Sequence, residues 1–367
     1  MVKLFEPISI GQYKLQHRVV LAPLTRKRAT AEGVPTDLMV EHYRQRTSVG
    51  GLLISEACFV NPVSRGYSQV PGIFTEEQID AWKKVTDAVH EKGGIIFAQI
   101  WHAGRAGSPK LNPNNEPTVS ASAVHMPGKD DKGNDRETPH ALEIHEIKEI
   151  VQDFKQAALN SIQAGFDGVE IHNANGYLLD QFLNSHTNRR TDEYNGSPEK
   201  KARFTLEVVE AVVSAIGPEK TAIRFSPGGT YNDVHDKDPL TTWSYVTNAL
   251  QERFPQLAYL HFIEPRSTFF GDAVNTIDSL GPFRKLWNGP FINSGGFSNA
   301  IQHAVNIAEG TNDLIAFGRM FISNPDLPER IKNNIPLTKY DRSTFYKNDA
   351  VGYNDYPSYS QQVESRL

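Results

Sequence analysis

Short runs rich in β-branched and other apolar residues recur along the chain, separated by longer stretches whose apolar positions repeat every three or four residues. The runs are VVLAPL (19–24), GLLISEA (51–57), GIIFAQI (94–100), GVEIH (168–172), TAIRFSP (221–227), AYLHFIE (258–264), PFINSGG (290–296) and DLIAFGR (313–319). They are apolar nearly throughout instead of alternating, which marks strands covered on both faces. Between them, EEQIDAWKKVTDAVHEKG (76–93), EIVQDFKQAALNSIQAG (149–165) and EKKARFTLEVVEAVVSAIG (199–217) carry helical spacing. Strands of this kind joined through helices run parallel, and eight of them closing on themselves predict a (β/α)8 TIM barrel. A doubly wound open sheet is the competing arrangement, and it is weakened because no GxGxxG opens a helix after an early strand. The runs are spread evenly, so residues 1–367 read as a single domain.

Two segments interrupt the rhythm. ISIGQYKLQHR (8–18) reads as a β-hairpin turning at Gly11-Gln12, placed to close the barrel floor. Residues 105–140, rich in Pro, Asn, Gly and charge, form a long loop after the third strand. A loop of that length in a compact domain is expected to be a lid or a binding loop.

Composition narrows the function classes. With 39% hydrophobic and 22% charged residues the chain has ample material for a large core, which excludes disorder on a domain scale. The net charge of −5, without a lysine- or arginine-rich block, favours neither nucleic acid nor an anionic membrane as partner. A small-molecule role fits better. The single cysteine, Cys58, leaves no intramolecular disulfide and no thiolate zinc site, consistent with a cytoplasmic setting. The N-terminus lacks an apolar stretch of signal-peptide length, and no run approaches a membrane span. The final tripeptide, Ser365-Arg366-Leu367, resembles the peroxisomal address Ser-Lys-Leu with arginine for lysine, and reads as a candidate import signal.

In a barrel of this kind the polar residues at the C-terminal ends of the strands converge on one mouth. Those residues are Pro23, Leu24, Thr25 and Arg26 after the first strand, Glu56 and Ala57 after the second, and Gln99, Trp101 and His102 at the third. His172, Asn175 and Tyr177 follow the fourth, and Arg224 lies on the fifth. Taken singly, each could do no more than satisfy local backbone groups. The seventh and eighth strands end in Ser294-Gly295-Gly296 and Gly318-Arg319. Barrels bind phosphate in the loops after these two strands, where glycine admits the oxygens to backbone N–H groups and an arginine adds a bidentate charge. A phosphorylated cofactor is the natural occupant.

The stretch EIHNANGYLLDQF (170–182) then gains a chemical reading. His172 and Asn175 are both donors to one oxygen, and Tyr177 carries a phenol able to deliver a proton. Two donors on one oxygen stabilise the charge that develops when a conjugated carbonyl or nitro group accepts hydride. Metal ligation would need more His or carboxylate at suitable spacing, and acyl transfer would need a motif such as GxSxG.

The segments HRVVLAPLTRKRA (17–29), EHYRQRTSVGGLLISEA (41–57), VPGIFTEEQIDAWKKV (70–85), IIFAQIWHAGR (95–105), GFDGVEIHNANGYLLDQFLNSHTNRRTDEYNGS (165–197), AFGRMFISNPDLPERI (316–331) and KYDRSTFY (339–346) resemble the Old Yellow Enzyme family of flavin-dependent ene reductases. The resemblance runs from Leu4 to Tyr359 and is most specific in the 165–197 block. It implies an FMN-binding (β/α)8 barrel reduced by NADPH or NADH, which passes hydride to the β-carbon of an enone, enal or nitroalkene. The resemblance further implies that Pro23, Leu24 and Thr25 border the flavin ring, with the Thr25 hydroxyl directed to the carbonyl beside N5. Ala57 and Gln99 would contact the pyrimidine half, Arg224 would sit near N1, and Ser294, Gly295, Gly296, Gly318 and Arg319 would hold the phosphate. His172 and Asn175 would bind the substrate oxygen, Tyr177 would protonate the α-carbon, and Tyr67, Trp101 and Tyr346 would line the substrate pocket.

Position 175 is asparagine where other members place a second histidine; either can donate. The presence of Tyr177 argues against the members that lack it and isomerise instead. The segments SPGGTYNDVHDKDP (226–239) and FIEPRSTFFGDAVN (262–275) match less well, which leaves the substrate unassigned. The expected partners are small molecules, with the chain a monomer or a homodimer. Two other readings remain: an FMN-dependent hydroxy acid oxidase on the same barrel, for which a base and a carboxylate-binding arginine cannot be assembled, and a non-catalytic flavin-binding protein, against which the His172–Asn175–Tyr177 set argues.

Overall fold

A computed structural model describes residues 2–264, 279–297 and 300–364. The tripeptide 365–367 and most of the segment 262–275 lie outside the described residues. The chain opens with a hairpin of β1 (Ile8–Ile10) and β2 (Tyr13–Leu15), then enters the barrel at β3 (Val19–Leu21). Next come α1 (Asp37–Arg46), β4 (Leu52–Phe59), α2 (Glu76–Glu91) and β5 (Ile95–Trp101). The long connection that follows contains β6 (Val119–Ser120) and β7 (His140–Ala141). After it run α3 (Ile144–Gln163), β8 (Gly168–Asn173), α4 (Leu178–Leu183), α5 (Pro198–Ile216), β9 (Thr221–Phe225), α6 (Pro239–Arg253), β10 (Tyr259–Ile263) and α7 (Gly281–Arg284). The chain ends with β11 (Phe291–Ser294), α8 (Ile301–Thr311), β12 (Leu314–Phe317), α9 (Arg319–Ser323), α10 (Leu327–Lys332) and α11 (Tyr359–Glu364).

The eight strands β3, β4, β5, β8, β9, β10, β11 and β12 close into a parallel barrel, each hydrogen-bonded to the next and β12 to β3. All eight coincide with the eight apolar runs of the sequence. The helices are bounded by local chemistry: Thr75 and Gln78 form a capping box at α2, and Ser197 and Asp238 cap α5 and α6 ahead of prolines at the first helical position. Helix α3 begins at Ile144 and not near 149, because Glu143 and Glu146 form a capping box of their own.

Three apolar layers result. One packs strand residues such as Leu53, Ile96 and Val169 against the inner faces of the helices. A second fills the barrel's lower interior, where Val20, Leu52, Phe97, Tyr259, Ile292 and Leu314 meet Ile10 and Leu15 of the hairpin. The hairpin therefore plugs the floor. Its turn requires glycine, because a Cβ on Gly11, at φ 48°, would stand 2.0 Å from the Glu219 carbonyl oxygen. The third layer, Ala57, Phe59, Trp101 and Tyr177 with half-buried Tyr67 and Tyr231, lies at the opposite end.

The 105–140 connection is ordered by three short 3-10 turns at Gly104–Ala106, Pro109–Leu111 and Pro113–Asn115 and by the parallel β6–β7 pairing. Lys27 bonds to Asp131, whose other oxygen accepts the Ser68 hydroxyl at 2.7 Å, so this connection is pinned beside the barrel mouth.

Candidate active site

The mouth formed by the C-terminal ends of the strands holds a cavity of about 470 Å³. Every residue expected there from the sequence as a cofactor or substrate contact lines it: Pro23, Leu24, Thr25, Ala57, Tyr67, Gln99, Trp101, His172, Asn175, Tyr177, Arg224, Ser294, Gly295, Gly296, Gly318, Arg319 and Tyr346. Tyr346 sits at the rim, with 59% of its surface exposed.

The turn after β8 explains the sequence HNANGY. Asn175 has φ 59° and Gly176 φ 70°, two left-handed residues in succession that reverse the chain and throw Tyr177 back over the mouth. A Cβ on Gly176 would lie 2.4 Å from the Tyr231 carbonyl oxygen. The turn is held from both sides. The Asn175 N–H donates to Ser226 Oγ at 2.7 Å, Asn232 Nδ2 donates to the Asn175 carbonyl at 2.9 Å, and the Gly176 N–H donates to Asp180 Oδ2 at 2.7 Å. This geometry sets the Tyr177 ring edge-on to His172, with 5.0 Å between ring centres, and edge-on to Trp101 at 4.7 Å. The Tyr177 and Tyr67 hydroxyls are 3.2 Å apart.

Electrostatics fix the protonation states. Burial, reinforced by the Arg224 cation, holds His172 well below the usual histidine range, so the ring is neutral at neutral pH and offers one N–H. Burial pushes the Tyr177 phenol up, so the proton stays on the oxygen until an acceptor forms beside it. Burial brings Arg224 down to about 10, partly offset by Glu170, and it stays charged at neutral pH.

Four residues that line the cavity carry a buried polar atom with no protein partner: Arg26 Nη1, Trp101 Nε1, His172 Nδ1 and Arg224 Nε. A fully desolvated donor left unmade is costly, which marks a place built for a group the chain itself does not supply. At the ends of β11 and β12, Gly295 and Gly296 have φ 111° and 75°, and a Cβ on Gly318 would press on Leu24 Cδ2 at 3.2 Å. Arg319 stands beside them and donates to the Tyr340 hydroxyl at 3.3 Å. An amide (Gln99) and a cation (Arg224) at one end and a glycine-lined cradle with an arginine at the other match a flat polar ring system carrying a phosphate tail. The donor set fits FMN.

Three residues expected at the mouth point elsewhere. Strand β4 does not end before Glu56 and Ala57; it runs to Phe59 through an irregularity between Ile54 and Ala57. Ala57 faces the cavity, whereas Glu56 is buried outside it, pushed up to about 7 by burial and partly held down by Arg26 and Arg28. His102 is buried and accepts the Gly104 N–H at 3.0 Å through Nδ1. The Arg26 side chain touches the cavity, yet its guanidinium is committed to the carbonyl oxygens of Phe345 and Gly352 at 3.0 and 2.8 Å.

The cavity also includes residues the sequence did not single out: Lys27, Asp131, Tyr231, Arg342 and Phe345. Tyr231 belongs to the 226–239 segment that matches the resembled family least well. Asp131 was hidden in a loop whose register no periodicity defines.

Known proteins resemble this chain over nearly its whole length. The model of the NADH:flavin oxidoreductase / NADH oxidase family matches residues 3–338. The 12-oxophytodienoate reductase 1 of Oryza sativa subsp. japonica is 45% identical over 357 residues, covering 97% of this chain and 93% of the relative. The 12-oxophytodienoate reductase 2 of Arabidopsis thaliana is 45% identical over 362 residues, 97% of this chain and 96% of the relative. Among solved structures, morphinone reductase aligns with a TM-score of 0.90 at 40% identity, covering 98% of this chain and 97% of the other. Morphinone reductase in complex with tetrahydroNAD aligns at 0.87 and 42% identity, covering 97% of each chain. With the cavity's donor set and these matches together, the chain belongs to the Old Yellow Enzyme family, the FMN-dependent NAD(P)H:flavin oxidoreductases that reduce activated C=C bonds.

Proposed function

We propose that this chain reduces α,β-unsaturated carbonyl compounds, cyclopentenones of the 12-oxophytodienoate type among them, with Tyr177 as the acid and His172 with Asn175 as the oxyanion-binding pair. The observation that carries the reading is the convergence on one cavity wall of His172 at the end of β8, Asn175 on the left-handed turn and Tyr177 just after it, with His172 neutral and Tyr177 protonated. FMN, held by Gln99, Arg224 and the glycine cradle with Arg319, would supply the hydride chemistry that links NADPH or NADH to the substrate's β-carbon. The residues do the rest. The His172 N–H and the Asn175 amide donate to the carbonyl or nitro oxygen and stabilise the charge that builds there. Tyr177 gives its O–H proton to the α-carbon, and the Tyr67 hydroxyl at 3.2 Å can donate to the phenolate left behind. Trp101, flanked by Phe59 at 5.1 Å and Tyr67 at 6.0 Å, forms an aromatic wall that excludes water and orients a flat substrate. One site serves nicotinamide and alkene in turn, so turnover is ping-pong.

The test is ligand binding to the FMN-loaded protein. Each lost hydrogen bond to a charged oxygen costs about 1.5–3 kcal/mol. His172→Ala with Asn175→Ala should therefore weaken a para-substituted phenolate by at least about a hundredfold, read from the flavin spectrum. Unchanged affinity would place the oxyanion site elsewhere.

A further inference from the structure

Behind the cavity wall, in the barrel interior, lies a charged group that the reaction as described does not use. Glu170 projects from the middle of β8 and is fully buried. Its Oε1 accepts the Gln99 Nε2–H at 2.7 Å, and its Oε2 pairs with His261 Nδ1 at 2.8 Å. Gln99 is the register partner of Glu170 on β5, and His261 on β10 is the register partner of Arg224 on β9. Gln99 and Glu170 thus share one level of the barrel, and Arg224 and His261 the next level up, on four consecutive strands. Of these, Gln99 and Arg224 line the cavity while Glu170 and His261 do not.

We propose that Glu170 is a positioning residue for the cofactor: its carboxylate dictates which end of the Gln99 amide faces FMN, and its charge beside Arg224 sets the reduction potential of the bound flavin.

A carboxylate can only accept hydrogen bonds. The NH2 end of Gln99 must therefore turn toward Glu170, which leaves the amide oxygen and the second N–H for the cavity. That pair is complementary to the N–H and C=O of a flavin imide edge. Without the carboxylate, both orientations of the amide would be similar in energy, and half the recognition would be lost. The same argument fixes His261, whose Nδ1 must carry the proton. Burial alone would push Glu170 up, but His261, Arg224 and Gln99 outweigh it and hold the carboxyl below its usual range. Glu170 is therefore ionised, and it cancels the Arg224 charge where the reduced cofactor carries added negative charge. Arg224 is attractive to that charge; Glu170, one layer below, is repulsive to it, and the balance of the two sets how strongly reduction is favoured.

The inference rests on Gln99 and Arg224 facing FMN, and two variants separate its parts. Glu170→Gln removes the charge and the directional constraint. It should raise the flavin midpoint potential by about 30 mV or more, the equivalent of tenfold tighter binding of the reduced over the oxidised cofactor for a two-electron couple. It should also weaken oxidised FMN, measured by fluorescence titration of the apoprotein. Glu170→Asp keeps the charge but withdraws the carboxylate from Gln99, so FMN binding should loosen several-fold while the potential stays near that of the parent. A merely structural role for Glu170 would change the melting temperature and leave the potential in place. A potential for Glu170→Gln equal to or below the parent's, in a protein that still binds FMN, would overturn the proposal, as would parental FMN affinity in both variants. If Glu170→Gln does not fold, the Asp variant alone decides, through loosened or parental FMN binding. Gln99→Leu is the control: FMN binding unaffected by it would refute the placement of Gln99 against the cofactor, a failure distinct from that of Glu170.

Discussion

At the scale of single residues, the site works by keeping ordinary groups in unusual states. His172 is neutral because burial beside a cation makes a second charge expensive, and in the proposed reading that neutrality would let it serve as a donor already desolvated when substrate arrives. The residues that could be named from sequence were those whose chemistry is visible as a type at a strand end: His172, Asn175, Tyr177, Gln99 and Arg224. Glu170 was legible in principle, as a carboxylate inside an otherwise apolar strand, a position that is rarely filled without a partner. Its partner, His261, sits 91 residues away on β10, and only the closed barrel brings the two within 2.8 Å. Tyr231 had no such signal. It enters the mouth because the loop after β9 folds back over the Asn175 turn, a contact set by tertiary packing.

At the scale of elements, all eight barrel strands were readable because buried parallel strands are apolar throughout. What periodicity could not give was the irregularity in β4, which turns Ala57 toward the cavity and Glu56 away from it. The start of α3 was also displaced, since a glutamate stands where a serine or threonine cap would have announced it. The segment 344–353 is a further case, for it has no strand or long helix to hold it. Three buried arginines do so instead. Arg28 donates to the carbonyl oxygens of Thr344 at 3.0 Å, Phe345 at 2.7 Å and Asp349 at 3.0 Å; Arg26 and Arg46 reach Gly352 and Tyr353. The Tyr353 ring stacks on His42 at 3.9 Å beneath the Arg28 guanidinium. This clamp carries Phe345 and Tyr346 to the rim of the cavity. Arg28→Met keeps much of the volume but leaves those carbonyls unpaired, and should cost about 3 kcal/mol or more. Denaturant unfolding and limited proteolysis within 344–353 would show it; parental values for both would mean the segment is held by packing alone.

For the molecule as a whole, the pH dependence of stability follows from buried groups of opposite sign. Burial holds His17 down to about 4 and His102 to about 3, and also lowers His42, His172 and His261. A histidine lowered in the fold contributes stability that is complete above its unfolded value near 6.5, and that is lost as pH falls toward the folded value. Glu56 and Asp180, raised by burial to about 7, act in the other direction: their contribution is present below the usual carboxylate range and lost as pH rises through about 7. The lowered histidines outnumber Glu56 and Asp180, so on balance unfolding takes up protons as pH falls from 7 to 5. The melting temperature of the FMN-loaded protein should therefore fall between pH 7 and pH 5. A flat or rising profile would contradict the assignment of these histidines as neutral.

In the proposed division of labour, Tyr177 would serve alkene reduction and not flavin reduction. The direct measurement follows the flavin absorbance of the FMN-loaded parent and of Tyr177→Phe without oxygen, first on mixing with NADPH and then on adding 2-cyclohexenone. Both proteins should bleach at similar rates; the parent should then regain its oxidised spectrum promptly, and the variant slower on the order of 10²-fold or more, as expected for a lost general acid. Equal slowing of both halves, or recovery in the variant at the parental rate, would contradict the role of Tyr177 on which the account of the site depends.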